Sequence, residues 1–291
     1  LVASALMASA VDIGCDSYTQ GAGRIDVLGA YDLIAESRRQ GTISLSPKTL
    51  LQPNSLRTLQ EEVSPQYTRF RNSRIEFYVD DSGNIFSLYF DGRDQWASMA
   101  WRIAYNTSNL ASWFDLEVIQ SVSMMVSNET YQQALGALRT PDKAVAIFVM
   151  VELFGNETWA RTSFMVWPMG VTLENLRIFC IEDVGMNLGY GNDWSYYYSS
   201  QDIVVVNDTL ETPPVQHFGF GGGLSSSAHH VGPYPSAWYA AYYDQLNNET
   251  EYVGDDNNAF RWSLGTVSAP TIIPVVFGLE YDVSATLSVI N

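Results

Sequence analysis

Alternation of apolar and polar residues runs through most of the chain, and this period of two is typical of β-strands. Residues 74–90 contain two alternating runs around the turn-forming segment 80–84, which predicts a β-hairpin. A second hairpin is predicted where Gly155, Asn156 and Glu157 separate two apolar runs. The strands predicted in this way cover residues 42–47, 74–90, 96–105, 114–126, 144–154, 159–168, 171–183, 201–209, 259–267, 271–281 and 284–290.

Helical spacing of apolar residues is limited to a few segments. Residues 1–10 and 27–38 predict helices, 129–138 predicts a short helix, and 235–247 predicts a helix or an ordered loop. Because many short strands alternate with turn signals, we predict a mainly β protein with two β-sandwich domains after a short helical segment. The predicted boundaries are 1–38 for the helical segment, 39–170 for the first sandwich and 171–291 for the second.

Composition narrows the classes of partner. The chain has 291 residues, of which 46% are apolar and 16% charged, so it can form packed cores and is not expected to be disordered. Its formal charge of −17 would repel a phosphate backbone, which argues against nucleic acid and against anionic membrane surfaces. No apolar run approaches the roughly 18–20 residues that a membrane-spanning helix needs.

Five Asn-x-Ser/Thr sequons bear on the compartment. Each lies between or beside predicted strands, where a glycan would reach solvent. We therefore predict an extracellular or cell-surface glycoprotein, with ordinary Asn-rich turns as the alternative. The candidate acceptors are Asn106, Asn128, Asn156, Asn207 and Asn248.

The chain has two cysteines, Cys15 and Cys180. Two cysteines can form one disulfide, but they are too few for a structural zinc site with four cysteine ligands. We predict a Cys15–Cys180 disulfide, and two separate buried thiols remain the alternative.

The sequence offers few groups for catalysis. The histidines are His217, His229 and His230, and serines precede the last two in the segment 225–230. No nucleophile-elbow motif accompanies them, so a polar loop is the simpler interpretation. The segment 219–223 is glycine-rich but lacks the strand–loop–helix context of a phosphate site, which indicates a flexible loop.

Clusters of acidic and amide side chains are candidate calcium sites, because calcium prefers oxygen ligands. None has the full EF-hand spacing, and solvated turns are the alternative interpretation. The candidate ligands are Asp80, Asp81, Asn84, Asp255 and Asp256, with a further pair at Asn192 and Asp193. Calcium is the cofactor that these clusters suggest.

Two groups of aromatic residues could form binding surfaces. Exposed aromatic rings bind sugars or partner proteins, whereas buried rings would belong to the core or to a domain interface. The first group is Tyr190, Trp194, Tyr196, Tyr197 and Tyr198, in a predicted loop, and the second is Trp238, Tyr239, Tyr242 and Tyr243.

Two motifs near the start carry a resemblance to a known family. They are Leu6-Met7-Ala8-Ser9-Ala10 and Gln20-Gly21-Ala22-Gly23-Arg24-Ile25-Asp26. Together, within residues 5–35, they resemble the end of the catalytic domain of subtilisin-like serine proteases. The resemblance implies that residues 1–38 are a helical remnant of that α/β domain. It also implies that the catalytic Ser, His and Asp lie upstream, because the family's Gly-Thr-Ser-Met-Ala motif is absent and 41–44 is no substitute for it.

On this resemblance we expect the non-catalytic C-terminal portion of an exported, cell-surface subtilisin-like protease. Its parent would hydrolyse peptide bonds, whereas this chain alone would be inactive. Its expected partners are the upstream catalytic domain, or an associated protease half, and other surface proteins. The alternatives are a glycosylated structural subunit of a surface layer or filament, and a carbohydrate-binding module.

Overall fold

The computed structural model describes residues 67–95, 97–106, 116–186, 192–210 and 215–290. Within these ranges the chain forms seventeen β-strands and two α-helices. The predicted helices at 1–10 and 27–38, the strand at 42–47 and both motifs of the protease resemblance lie outside the described residues.

The elements follow one another along the chain as short strands with few helices. The strands are β1 (Thr68–Arg71), β2 (Ile75–Val79), β3 (Ile85–Phe90), β4 (Arg93–Asp94), β5 (Ala97–Ala104), β6 (Glu117–Ser127), β7 (Tyr131–Arg139), β8 (Val145–Phe154), β9 (Trp159–Pro168), β10 (Leu173–Val184), β11 (Asp193–Tyr198), β12 (Ile203–Asp208), β13 (His217–Gly222), β14 (Ala228–Pro233), β15 (Glu251–Gly254), β16 (Asp256–Val267) and β17 (Thr271–Glu280). The helices are α1 (Ser236–Tyr242) and α2 (Val283–Ile290).

The strands form two antiparallel sheets. The eight-stranded sheet has the order β1-β2-β3-β5-β10-β16-β14, with β4 paired to β3. The nine-stranded sheet has the order β15-β11-β12-β13-β17-β9-β8-β7-β6. The prediction of a mainly β protein of the sandwich type is therefore confirmed.

One hydrophobic core fills the space between the two sheets. Alternation along each strand sends every second side chain inward, as in β8, where the valines and isoleucine at alternate positions are fully buried. Rings from opposite sheets meet in this core. The centroid distances are 5.1 Å for Phe77–Phe277, 5.0 Å for Trp101–Phe164 and 5.0 Å for Phe220–Phe260.

Both sheets contain strands from either side of residue 170. Strands β1–β5 form one block of the eight-stranded sheet, and β10, β16 and β14 complete it across the β5–β10 pairing. In the nine-stranded sheet the corresponding pairing is β9–β17. We call these two pairings, which join strands from before and after residue 170, the β5–β10 seam and the β9–β17 seam. The predicted halves, 39–170 and 171–291, thus each contribute to both layers, and continuous sheets join them edge to edge.

Two predicted elements are wrong in type, and one is confirmed. Residues 129–138, predicted to be helical, form β7, which hydrogen-bonds to β6 and β8 along its length and so overrides the helix propensity of its Ala, Leu and Gln residues. Residues 284–290, predicted to be a strand, lie in α2, where Thr286 and Ile290 are buried one turn apart. The helix predicted within 235–247 is confirmed as α1.

The helices cover parts of the outer faces of the sheets. Helix α1 packs through Ala237 and Ala241 against Phe179 and Ile181 of the eight-stranded sheet. Helix α2 packs through Ile290 against β12 of the nine-stranded sheet. In the described ranges no helix has both the length and the apolar character required to traverse a bilayer.

Candidate functional site

A row of three aromatic rings lies on the outer side of β11. Strand alternation places Trp194, Tyr196 and Tyr198 on the same face of the nine-stranded sheet. Their ring centroids are 5.7 Å apart for Trp194–Tyr196 and 4.8 Å apart for Tyr196–Tyr198. All three side chains are half-buried, so each ring keeps part of its surface in solvent. We call these three residues the aromatic ladder.

The indole at one end of the ladder is held by a carboxylate. Trp194 Nε1 donates a hydrogen bond of 2.7 Å to Oε1 of Glu251, an exposed residue on the edge strand β15. Beside them, Val253 lies directly opposite Trp194 in the strand pairing and is 57% exposed. The ladder therefore offers partly exposed aromatic rings, tilted against one another by 44° and 61°, next to a hydrogen-bonding carboxylate at the edge of the sheet.

The sequence placed these aromatic residues in a loop, whereas the structure places them in a strand. Strand alternation separates Tyr197 from the ladder and sends it inward, where its ring stacks on His229 with a centroid distance of 3.5 Å. Its hydroxyl donates to Asp202 Oδ1 at 2.8 Å. Burial, reinforced by this carboxylate, raises the pKa of Tyr197 to about 12. Tyr190 lies outside the described residues.

The second predicted aromatic group belongs to α1 and its end. The Arg102 guanidinium lies 5.0 Å above the ring of Trp238, which packs next to the cluster beneath the helix. By contrast, Tyr239 and Tyr243 are 62% and 58% exposed. They are separate exposed rings rather than a row along one strand.

The histidine–serine pairing in the structure differs from the one that the sequence suggested. His230 Nε2 is 2.7 Å from Ser236 Oγ, at the start of α1. The backbone amide of Asn247 donates to His230 Nδ1 at 3.4 Å, which favours the tautomer with its proton on Nε2. Burial lowers the pKa of His230 to about 4. In this tautomer Nε2 donates to the serine hydroxyl and does not accept its proton, so the contact gives no support for a nucleophile and its base.

Two further segments were considered for catalysis. Residues 225–227 of the predicted polar loop lie outside the strands, and β14 begins at Ala228. Residues 225–230, predicted to be a polar loop, run into β14, and Ser226 Oγ donates to Asp202 Oδ1 at 2.8 Å. The glycine-rich segment 219–223, predicted to be a flexible loop, lies mostly in β13, paired with β12 and β17.

In the first candidate calcium cluster, Asp80 accepts hydrogen bonds from within its own turn. Asp80 Oδ1 accepts hydrogen bonds from the backbone amides of Ser82 and Asn84, at 2.8 and 2.9 Å, and Oδ2 accepts one from Asn84 Nδ2. These contacts close the β2–β3 hairpin. Across the described ranges, no three His, Cys, Asp or Glu side chains stand in an arrangement that could hold a metal ion.

The two acidic residues of the second candidate calcium cluster differ in burial. Asp255 is exposed, whereas Asp256 is fully buried at the start of β16. Asp256 meets Glu182 of β10 and Asp193 of β11 between the two sheets, and both of these carboxylates are also buried. We call Glu182, Asp193 and Asp256 the buried carboxylate cluster.

The pKa values of all three carboxyl groups in the buried carboxylate cluster are raised. Burial, reinforced by the charge of Asp256, raises the pKa of Asp193 to about 8 and the pKa of Glu182 well above its usual range. Burial also raises the pKa of Asp256 to about 7, although hydrogen bonds from Ser195 and Asn258 act in the opposite direction. The sequence indicated Asp256 and Asp193 but not Glu182, because Glu182 lies inside a predicted strand and not in a turn rich in Asp and Asn.

The predicted glycosylation sites differ in exposure. Asn106, Asn128, Asn156 and Asn248 are exposed, which is compatible with glycan attachment, whereas Asn207 is half-buried in β12. Their occupancy and the extracellular location stay predictions.

The cysteines of the predicted disulfide fall in different parts of the chain. Cys180 is a fully buried free thiol in β10, and Cys15 lies outside the described residues.

The chain matches no known protein-family model. Its fold is similar to that of a bacterial glucoamylase complexed with acarbose, with a TM-score of 0.58, 7% sequence identity and 78% of this chain covered. The match spans 35% of the glucoamylase, so this chain corresponds to about a third of that protein's length. A putative aldose 1-epimerase from Escherichia coli K12 matches with a TM-score of 0.47, 6% identity, and coverage of 75% of this chain and 99% of the epimerase.

These comparisons overturn the protease assignment. The similarity in fold is to a glucoamylase and not to a subtilisin-like protein, so the prediction of a subtilisin-like protease portion is wrong. The two motifs at residues 5–35 form one short stretch outside the described residues, and a stretch of that length does not determine the fold of the remaining chain. The chain is shown to be a β-sandwich protein of the architecture shared with part of a bacterial glucoamylase.

Proposed function

We propose that this chain is a carbohydrate-binding β-sandwich that binds an oligosaccharide along the aromatic ladder. The row of rings on β11 carries this proposal, because the apolar face of a pyranose ring stacks on an aromatic ring while the sugar hydroxyls need nearby polar groups. Trp194 and Tyr196 supply the flat surfaces. Glu251 fixes the indole and adds a carboxylate that can accept hydrogen bonds from hydroxyls.

The geometry of the strand favours an extended ligand. The centroids of successive rings are 5.7 and 4.8 Å apart, and neighbouring ring planes are inclined by 44° and 61°. The ladder thus presents its rings one after another along β11 rather than around a closed pocket. Such a line suits consecutive sugar units of a chain. The similarity in fold to a glucoamylase that was complexed with acarbose supports the same ligand class.

Calorimetric titration with a panel of soluble oligosaccharides would test the proposal. The panel would include α-linked and β-linked glucose, mannose and xylose oligomers. We expect binding of at least one oligomer, with affinity that increases with chain length over the span of the ladder. Trp194→Ala and Tyr196→Ala should each weaken binding about tenfold or more, corresponding to about 1.4 kcal/mol.

The matched control is Tyr239→Ala, which removes an exposed ring outside the ladder and should leave the affinity unchanged. Circular dichroism would show that each variant keeps its fold. Failure of the folded wild-type protein to bind any oligomer at millimolar concentration would contradict the proposal. An equal loss of affinity in Tyr239→Ala would contradict the choice of surface.

A further inference from the structure

The buried carboxylate cluster lies between the two sheets, near an edge of the nine-stranded sheet. Glu182 of β10 and Asp256 of β16 belong to the eight-stranded sheet, whereas Asp193 of β11 belongs to the nine-stranded sheet. Glu182 is 1% exposed, and the other two residues are fully buried. β11 is the second strand from the edge of its sheet, outside which only β15 lies among the described strands. The cluster therefore separates this edge from the opposite sheet.

Neutral groups supply the hydrogen bonds that two of the carboxyl groups accept. Asn258 Nδ2 donates to Glu182 Oε2 at 3.0 Å and to Asp256 Oδ2 at 2.6 Å. Ser195 Oγ also donates to Asp256 Oδ2. Since neither donor carries a charge, these bonds do not neutralise an ionised pair of carboxylates.

Several oxygens of the cluster accept no hydrogen bond of regular geometry within the described part of the chain. They are Oε1 of Glu182, both carboxyl oxygens of Asp193 and Oδ1 of Asp256, and all four are buried. The backbone amide of Met186 faces Asp193 and opposes the rise of its pKa, but burial and the charge of Asp256 outweigh this effect. In the same ranges none of the three acidic residues forms a salt bridge. Burial of such unpaired groups in charged form is costly.

The acidic residues around the cluster add to its negative charge. Asp183 follows Glu182 in β10, Asp255 precedes Asp256, and Asp208 lies directly opposite Asp193 in the β11–β12 pairing. The charges of these three neighbours raise the pKa values of the cluster further, although less than burial does.

The basic residues of the surrounding strands do not compensate this charge. Arg177 of β10 and Arg261 of β16 pair with Asp244, and Arg102 of β5 lies against α1. His229 of β14 is half-buried by its neighbours, and burial lowers its pKa, which favours the uncharged imidazole. β11, β12 and β15 contain no basic residue. The nearby thiol of β10, at position 180, is neutral because burial raises its pKa well above the usual value.

We propose that the buried carboxylate cluster is a pH-dependent clamp, in which protonated carboxyl groups keep β11 and β15 packed on β10 and β16, and loss of the protons to solvent releases this edge. Protonation removes the charge that would otherwise be buried without a counter-ion. Release of one edge requires less free energy than unfolding of the whole sandwich, because fewer strand pairings and core contacts are broken. This device goes beyond carbohydrate binding and does not depend on it.

Folding favours the protonated form of the cluster. Carboxyl groups of an unfolded chain have pKa values of about 4, whereas in the folded chain the pKa is about 7 for Asp256 and about 8 for Asp193. The stabilising contribution of the protons is therefore complete below about pH 4 and is lost as the pH rises through 7 and 8. At about pH 6, unfolding should release protons, since the unfolded carboxyl groups are ionised there.

The test measures thermal unfolding of the full chain from about pH 5 to about pH 9. The midpoint of the wild type should fall as the pH rises. Asp193→Asn and Glu182→Gln imitate the protonated groups, so each should unfold at a higher temperature than the wild type at the alkaline end and show a smaller fall. Calorimetry in buffers of different ionisation enthalpy should show that Asp193→Asn releases about one proton fewer on unfolding near pH 6.

The matched control is Glu174→Gln, which removes the same charge from an exposed position of β10 and should keep the pH response of the wild type. Amide hydrogen exchange, corrected for its intrinsic pH dependence, would locate the released edge. Protection of β11 and β15 should fall at alkaline pH, whereas protection of β7 and β8 should not.

Three outcomes would overturn the proposal. The first is a wild-type midpoint that does not change over this pH range, and the second is a pH response in Asp193→Asn equal to that of the wild type. The third is an equal loss of protection in all strands, which would indicate general unfolding without a clamp. A failure of Asp193→Asn to fold in acid would also contradict the assignment, because the wild-type group is neutral there. These measurements use no sugar, so they are separate from the test of the aromatic ladder.

Discussion

The carboxylate of Asp244 pairs with two arginines, Arg177 and Arg261. Its Oδ2 accepts a hydrogen bond of 3.0 Å from Arg177 Nη1, and its Oδ1 accepts one from Arg261 Nη1. The Arg177 side chain is only 5% exposed, and that of Arg261 is 20% exposed. The ion pairs lie on the outer side of the eight-stranded sheet, next to α1.

We expect Asp244→Asn to lower the free energy of unfolding by about 3 kcal/mol, because it removes the carboxylate charge that faces two largely buried guanidinium groups. Asparagine keeps the shape and also tolerates the positive φ of 55° at this position, so the change isolates the charge. Urea unfolding would measure the difference. The control is Glu117→Gln, which breaks the Arg139 pair, where both side chains are more than 40% exposed, and should cost less than about 1 kcal/mol. Equal effects of the two substitutions would contradict the argument from burial.

At the residue scale, the sequence identified several site residues but not their contacts. Trp194, Tyr196 and Asp256 stood out because of their type and clustering. Glu251, Glu182 and Ser195 did not, because each acquires its role only from a strand that is distant in sequence. Local pattern cannot reveal such a pairing, which depends on sheet order.

At the element scale, the packing of α2 on β13 depends on the absence of a side chain at Gly219. A Cβ atom there would lie 2.6 Å from Thr286 Cγ2 and 3.3 Å from Ile290 Cγ1. We expect Gly219→Ala to destabilise the protein by about 1–3 kcal/mol through overpacking. Thermal or urea unfolding would measure this loss.

A second substitution, Thr286→Ser, tests whether the clash with Thr286 causes the loss of stability in Gly219→Ala. Thr286→Ser removes Cγ2 but keeps the hydroxyl, which donates to the carbonyl oxygens of Asp282 at 3.0 Å and His217 at 3.2 Å. The double variant should therefore lose less stability than the sum of the two single changes, by about 0.5 kcal/mol or more. Strict additivity would show that the clash with Thr286 is not the cause.

Helix α2 and strand β11 show where pattern-based prediction fails, and β8 and β9 show where it works. Long alternating runs such as β8 and β9 were predicted close to their observed bounds, because one face of each is buried against the opposite sheet. The segment that forms α2 is short and rich in β-branched residues, so its period was ambiguous. The segment that forms β11 was predicted to be a loop, so the strand alternation that creates the ladder was missed.

At the scale of the whole molecule, two blocks of chain form one pair of continuous sheets. The β5–β10 seam contains eight residue pairs, from Arg177–Ala104 to Val184–Ala97. The β9–β17 seam contains another eight, from Thr271–Val166 to Gly278–Trp159. Core rings also pack across the boundary, with centroid distances of 5.1 Å for Phe77–Phe277 and 6.2 Å for Trp101–Trp262. Sequence patterns located the two blocks of strands but could not show that their edges pair.

Separating the chain at residue 170 would expose both seams. Each fragment would present two long strands with unpaired backbone groups and a cut hydrophobic core, and such edges promote aggregation. We expect residues 67–170 and 171–291, expressed separately, to be insoluble or to lack cooperative unfolding. When the two fragments are co-expressed, they should form a 1:1 complex, because the β5–β10 and β9–β17 pairings restore the lost hydrogen bonds. Size-exclusion chromatography with mass determination, followed by thermal unfolding of the complex, would measure this. If residues 171–291 alone formed a stable monomer that ignored the other fragment, the seams would contribute little to stability, and the two halves would be independent domains that merely lie side by side.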